Sequence, residues 1–191
     1  MKKLIILSSL LCLPNFVFSQ EKQITKSVKG YVNQTEMGVL LGRGPTLFYT
    51  TGPSKVNLTL QSFNGYRFSK RFSAGVTVGL DWYSSYQVLP IEAGFRLDFP
   101  SKKRVSPYFG LDAGYGFMWL QNPPSGYKFS GGLTYNPSFG LKIDLGKESA
   151  LTFSIGYKYQ KVAARFVGDF DYILDSTNEY NRFSLRTGIS F

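Results

Sequence analysis

The sequence predicts an all-β chain, an eight-stranded antiparallel up-and-down transmembrane β-barrel, and three observations predict it. Eight segments alternate polar and apolar residues with period two, each about 10 to 13 residues long, the length a tilted strand needs to cross a bilayer. The connections between them include short turns and longer loops on opposite sides, as in transmembrane barrels. The polar face consists mainly of Gly, Ser and Thr, where a water-facing sheet would carry many Lys and Glu.

The chain opens on a processing segment. Lys2 and Lys3 form a positive n-region, residues 4–13 an apolar h-region, and Val17-Phe18-Ser19 a small-residue cleavage site before Gln20. Residues 1–19 therefore read as a signal peptide and the mature chain as exported. Cys12 does not suit a lipoprotein site, because Leu11 precedes it where a small residue is wanted and residues 14–18 prolong the signal. A polar, Lys-bearing leader follows at residues 20–30, and residues 31–191 form the barrel domain. No later apolar run approaches the roughly 18 residues of a spanning helix, so membrane residence requires a barrel.

Strands at residues 31–41 and 56–68 alternate less regularly than the rest. From Phe72 the pattern is clean: Phe72, Ala74, Val76, Val78, Leu80 and Trp82 share one face, and Ser73, Gly75, Thr77, Gly79, Asp81 and Tyr83 the other. The split recurs from Ile91 to Phe99 against Glu92, Gly94, Arg96 and Asp98, and from Phe109 to Trp119 against Gly110, Asp112, Gly114 and Gly116. It returns over 133–145, with Lys142 and Asp144 on the polar face, and over 151–159, with Lys158 there. The last strand sets Phe183, Leu185, Thr187, Ile189 and Phe191 against Arg182, Ser184, Arg186, Gly188 and Ser190. Short turns fall at 69–71, 100–106 and 146–149. The other side carries long loops at 42–55, 120–130 and 161–179, and one short one at 84–87. Eight strands leave both termini on the short-turn side.

Alternation alone also fits a soluble barrel with its aromatic face inward. The poverty of charge on the polar face favours polar inside and apolar outside. Phe72, Trp82, Phe99, Trp119, Tyr157 and Tyr159 then stand toward strand ends on the outer face, as aromatic girdles at the two interfaces. The inward positions carry Glu36, Asp81, Glu92, Asp98, Asp112 and Asp144 against Arg67, Arg96, Lys142, Lys158, Arg182 and Arg186, acids and bases in equal number. An eight-stranded barrel is just wide enough for side chains to fill. Buried charges must pair, so a structural ion-pair network that plugs the lumen is expected.

Composition excludes several chemistries. The 191 residues contain no His, which removes Ser-His, Cys-His and Asp-His catalysis and the commonest zinc ligand. One Cys permits no intramolecular disulfide framework. Asp169, Asp171 and Asp175 lack the Gly and terminal Glu of an EF-hand loop and read as a solvated acidic loop. Gly42-Arg43-Gly44-Pro45 reads as a turn and is too short for a phosphate cradle. The formal charge is +10, but the excess gathers in the leader and short turns, at Lys22, Lys26, Lys29, Lys70, Arg71, Lys102, Lys103, Arg104 and Lys147. That one-sided rim suits anionic lipid headgroups better than nucleic acid.

The whole mature chain resembles a small outer-membrane β-barrel protein, similar to the transmembrane domain of the OmpA-like family and to porin-family barrels of Gram-negative bacteria. The resemblance rests on the signal ending at Ser19-Gln20, the strand start Pro107-Tyr108-Phe109-Gly110-Leu111-Asp112-Ala113-Gly114, and the last strand ending in Phe191. It implies that Phe183, Leu185, Thr187, Ile189 and Phe191 form the signal read by the barrel-assembly machinery, and that the chain resides in the outer membrane. No peptidoglycan-binding domain follows the barrel in this sequence, so cell-wall tethering does not carry over. The expected role is structural or interaction-based and not enzymatic, carried by a monomer with outer-membrane lipids as partners and no cofactor, metal or nucleic acid. External contacts are expected chiefly at 161–179. The alternatives are a narrow porin-like channel for small solutes and a lipid-modifying barrel enzyme.

Overall fold

Period-two alternation leaves each segment with one face for each of two media, and the backbone groups of such segments are satisfied together only by pairing sideways into a sheet. The computed structural model describes residues 29–43, 54–83, 86–101, 103–120, 127–146, 149–167 and 173–191. Among them lie nine strands: β1 (Gly30–Arg43), β2 (Ser54–Arg67), β3 (Phe72–Trp82), β4 (Gln87–Asp98), β5 (Val105–Phe117), β6 (Tyr127–Ser130), β7 (Gly132–Gly146), β8 (Ser149–Val167) and β9 (Ile173–Ser190). β6 and β7 are one stave broken at Gly131, since both pair with β8. The nine strands therefore make the eight staves of a barrel.

All neighbours are antiparallel, and the sheet closes where β9 returns to β1 in register from Leu41↔Phe183 to Gln34↔Ser190. Asn33 and Phe191 extend that seam by exchanging backbone hydrogen bonds of 2.7 and 3.0 Å. Closure leaves no open sheet edge along this seam, which is the condition for strands to stand in lipid.

The polarity is inside-out relative to a water-soluble barrel. Phe183, Val56 and Met37 are 67%, 66% and 63% exposed, while Glu36, Lys158 and Asp112 are 2%, 1% and 0% exposed. An apolar outside over a charged inside is that of a transmembrane barrel, because the hydrophobic effect cannot hold this arrangement in water.

The staves are longer than expected at the long-loop end. β8 and β9 stay in register from Ala150↔Ser190 to Val167↔Ile173, so most of the segment 161–179 is a hairpin and not a loop. Here the inner face is apolar on β8 alone: Val162 and Ala164 are buried, while their β9 partners Asn178 and Ser176 are polar, so Ser176, Thr177 and Asn178 carry no alternation even though their backbones pair. Residues 127–130 of the expected loop 120–130 are likewise strand, as β6. β4 begins at Gln87 and contains Pro90, a residue that argues against a strand when read from sequence alone. The signal segment, residues 20–28 of the leader, Gly44, Pro45, Lys102, Lys147, Asp169 and Asp171 lie outside the described residues.

Candidate functional site

The lumen is where this sequence concentrates its chemistry. Inward residues of successive strands come level through the register, which sets Thr77 opposite Glu92, Gly94 opposite Asp112, and Asp112 opposite Asn136. Buried polar side chains from all eight staves therefore share one narrow space.

Glu36 is the hub. Its Oε1 accepts from the Tyr108 hydroxyl at 2.8 Å and the Ser154 hydroxyl at 3.1 Å, and its Oε2 accepts from Gln61 at 3.0 Å. Arg186 Nε stands 3.8 Å from the same Oε2, and its Nη1 donates to Gln61 Oε1 at 2.7 Å. Gln34 donates to the Tyr108 oxygen at 2.9 Å. Beside this hub, Arg96 holds Asp112 with two bonds, Nη1 to Oδ1 at 2.9 Å and Nη2 to Oδ2 at 3.1 Å. Such forked pairs are the strong charge-assisted kind. Thr77 adds a 2.5 Å bond to Asp112, and the guanidinium lies 4.4 Å from the Phe63 ring centroid. Gly94 makes room: a Cβ there would fall 2.6 Å from the Phe63 ring and 2.9 Å from Asp112 Oδ1.

Nearer the long-loop end, Lys158 pairs with Asp81 at 2.6 Å, and Thr59 donates to that carboxylate at 2.6 Å. Glu92 accepts from Thr134 at 3.0 Å. At the short-turn end, Lys142 meets Asp98 at 2.6 Å in a half-buried pair above the Tyr108 ring.

Two of the expected lumen residues serve other roles. Asp144 is exposed and accepts from the Gly146 N–H at 2.8 Å, because it belongs to the turn between β7 and β8 and not to the lumen. Arg182 is buried, but it donates to the carbonyls of Gly42 and Lys55 and lies against the Tyr83 and Tyr180 rings. Arg67 is half-buried at the short-turn end.

Sequence reading missed the neutral groups around the charges: Gln34, Gln61, Phe63, Tyr108 and Asn136 are all buried, as is Gln160, which donates to the carbonyls of Gly132 and Lys161. Parity would have placed Tyr108, which stands two residues before Gly110 and four before Asp112 on the same face. It also missed an apolar cluster inside the long-loop end, made by Leu40, Tyr83, Val88, Met118, Val162 and Tyr180.

The outer face carries the aromatic set. Phe99 and Trp119 are exposed, Phe72, Trp82, Tyr157 and Tyr159 are partly exposed, and Tyr159 stacks on Tyr135 with centroids 4.8 Å apart. Phe183, Leu185, Thr187, Ile189 and Phe191 are all exposed along β9 and its terminus. Among the described residues no three His, Cys, Asp or Glu side chains come together to hold a metal. Asp169 and Asp171, and the side chain of Asp175, lie outside the described residues.

No family model matches the sequence, and no curated protein does. Solved structures match the fold. Outer membrane protein AlkL, determined by solid-state NMR in DMPC lipid bilayers, aligns with a TM-score of 0.55 at 17% identity over 91% of this chain and 94% of its own. Outer membrane protein OprG from Pseudomonas aeruginosa aligns at 0.55 and 11% identity, over 89% and 98%. Neisserial surface protein A aligns at 0.55 and 15% identity, over 86% and 96%. At such identities the likeness is one of fold.

Proposed function

We propose that the protein is a closed barrel of the outer membrane with a structural or interaction role, whose lumen neither conducts nor catalyses. The observation that carries this reading is the filled lumen: Lys158–Asp81, Arg96–Asp112 and the Glu36–Arg186 hub occupy it, each carboxylate held by further hydroxyl or amide donors. Carboxylates engaged in this way act as structural partners, and Glu92, which lies outside these pairs, is buried and held by Thr134. The apolar outer band supports residence in the outer membrane, and the exposed apolar face of β9 at Phe183, Leu185 and Ile189 supports delivery by the barrel-assembly machinery. The short-turn end then faces the periplasm, with the exposed Lys70, Arg71, Lys103 and Arg104 at the headgroups.

The test is planar-bilayer recording of the refolded barrel, after heat-modifiable gel migration has established assembly. The expected result is no unitary conductance. Steady ion-selective steps would overturn the closed-lumen reading in favour of a narrow channel, and a changed lipid A or phospholipid profile on deletion would favour a lipid-modifying enzyme.

A further inference from the structure

Of the cations that the sequence places in the lumen, all but one are engaged. Arg96, Lys142, Lys158 and Arg186 each hold a carboxylate, and Arg182 is taken up by the carbonyls of Gly42 and Lys55. Arg67 is the remaining one. It forms no ion pair with any described residue, and its buried Nε has no hydrogen-bond partner.

Arg67 ends β2 at the short-turn mouth, half-buried, on the face that carries the buried Gln61 and Phe63 further in. Its cross-strand partners are Gly30 on β1 and Ser73 on β3. A Cβ at Gly30 would meet nothing within 4 Å, so no described side chain fills that side of Arg67. On the other side Ser73 is only 1% exposed, yet its hydroxyl has no hydrogen-bond partner. Buried hydroxyls normally find one, so this proton is unspent.

The charge around the pair is positive. Lys142 lies close enough that both Arg67 and Arg96 act on its charge. Asp98 neutralises Lys142 and Asp112 neutralises Arg96, which leaves the charge of Arg67 in excess. Asp144, the other acidic side chain described at this end, is exposed in its turn and holds the Gly146 N–H. Lys70, Arg71, Lys103 and Arg104 stand exposed around the rim.

A water molecule could take the Ser73 proton but would leave the Arg67 charge unmatched. A guanidinium presents its donors as a rigid fork that spans two oxygens of one carboxylate or phosphate. Ser73, on the next stave, offers one donor more, and a phosphate has a third oxygen to meet it where a carboxylate has none. We infer that the short-turn mouth of the lumen is a binding site for a phosphate group, held by the Arg67 fork and the Ser73 hydroxyl, with Lys142 adding charge. Two sources carry that chemistry, free inorganic phosphate and the headgroup of a phospholipid beside the rim. The site goes beyond the closed-lumen reading and leaves it intact, because the Arg96–Asp112 pair and the Glu36 hub fill the lumen behind it.

The test is titration calorimetry of the refolded full barrel in maltoside micelles, which carry no phosphate, with sodium phosphate replacing sodium chloride at constant ionic strength. Saturable binding is expected in the parent. Arg67→Gln should weaken it about ten-fold or more, the worth of a charged hydrogen-bonding partner. Arg67→Lys keeps the charge without the fork and should fall between the two. Ser73→Ala should weaken binding less than Arg67→Gln, and Arg71→Gln, on the exposed rim, by less than about two-fold. Heat-modifiable migration establishes that each variant has assembled. Dihexanoyl phosphatidylglycerol, added as monomer, then separates the sources. Displacement of phosphate, or binding of the lipid alone that Arg67→Gln abolishes, assigns the site to a headgroup; phosphate binding that the lipid does not displace assigns it to the free ion. No saturable heat with either ligand would overturn the site, as would binding untouched by Arg67→Gln. An equal loss in Arg71→Gln would also overturn it, since the whole rim would then attract anions diffusely.

Discussion

The two ends of the lumen are plugged by opposite chemistry. The middle and the short-turn end hold Glu36, Arg96, Asp98, Asp112, Lys142 and Arg186, whose charges are matched donor to acceptor. The long-loop end holds Leu40, Val88, Met118 and Val162 with two tyrosine rings. A polar plug requires identities, because each group removed leaves its partner buried and unmet. An apolar plug requires only volume, since its contacts are non-directional and neighbours can shift to fill a gap. The difference teaches where this barrel is intolerant of change. It also gives a division of labour: the apolar end keeps water away from ion pairs that are strong only while dry.

The largest expected effect lies in the polar plug. Asp112→Ala leaves Arg96 buried without its forked partner and should destabilise the barrel by about 3–5 kcal/mol. Asp112→Asn keeps the shape and should fall in the same direction, because the charge is what Arg96 requires. The measurement is the urea midpoint of refolded protein in micelles, followed by Trp fluorescence and heat-modifiable migration. A midpoint unchanged in both variants would show that the network is dispensable.

A smaller effect is expected at the apolar end. Leu40→Ala removes a fully buried side chain and should cost about 3 kcal/mol, set by how far Val88 and Val162 relax into the space. Leu40→Met conserves volume and should cost less than about 1.5 kcal/mol. The contrast with Asp112→Asn is the sharper reading: both are conservative in shape, yet only the polar plug should notice. If Leu40→Met proved as damaging as Asp112→Asn, the two ends would not differ in kind.

Much of this was legible in the sequence, for reasons particular to each region. Between Phe72 and Phe191 the alternation holds because each position faces either lipid or lumen, and the two media select different residues. Eleven of the twelve charged residues expected in the lumen are buried or half-buried; Asp144 is exposed in a turn, and Arg182, though buried, serves backbone carbonyls and rings. The upper parts of β8 and β9 were not legible, since their polarity is the reverse of the lower staves, with Val162 and Ala164 buried inside and Lys161 and Arg165 exposed outside. Nor was the break at Gly131 legible. One glycine in a Ser-Gly-Gly run signals a bulge, a turn or a close approach alike, and only the register with β5 and β8 distinguishes them. The apolar inner cluster was hidden because Tyr83, Met118 and Val162 fall at the ends of alternating runs, where a residue reads equally as strand or loop.

The smallest expected effect tests the edge of the polar plug, where lumen becomes rim. Lys142 and Asp98 meet at 2.6 Å but keep 12% and 13% of their side-chain surface, against 3% and 0% for Arg96 and Asp112. Solvent reaches the rim pair, so its Coulomb attraction is weakened and the lost partner can be hydrated in its place. Lys142→Gln should therefore cost about 1 kcal/mol, and Lys142→Met about as little, because an unbranched chain of similar length still fills the place beside the Tyr108 ring. Salt separates the two sites further. Raising ionic strength should shrink the Lys142→Gln effect, since a Debye length of about 8 Å at physiological salt screens charges that water reaches, and should leave the Asp112→Ala effect nearly unchanged. Urea midpoints of parent and both variants at low and high salt provide the check. A rim variant as damaging as Asp112→Ala and as indifferent to salt would mean that the dry region extends to the short-turn end, and that Asp98–Lys142 belongs to the same plug as Arg96–Asp112.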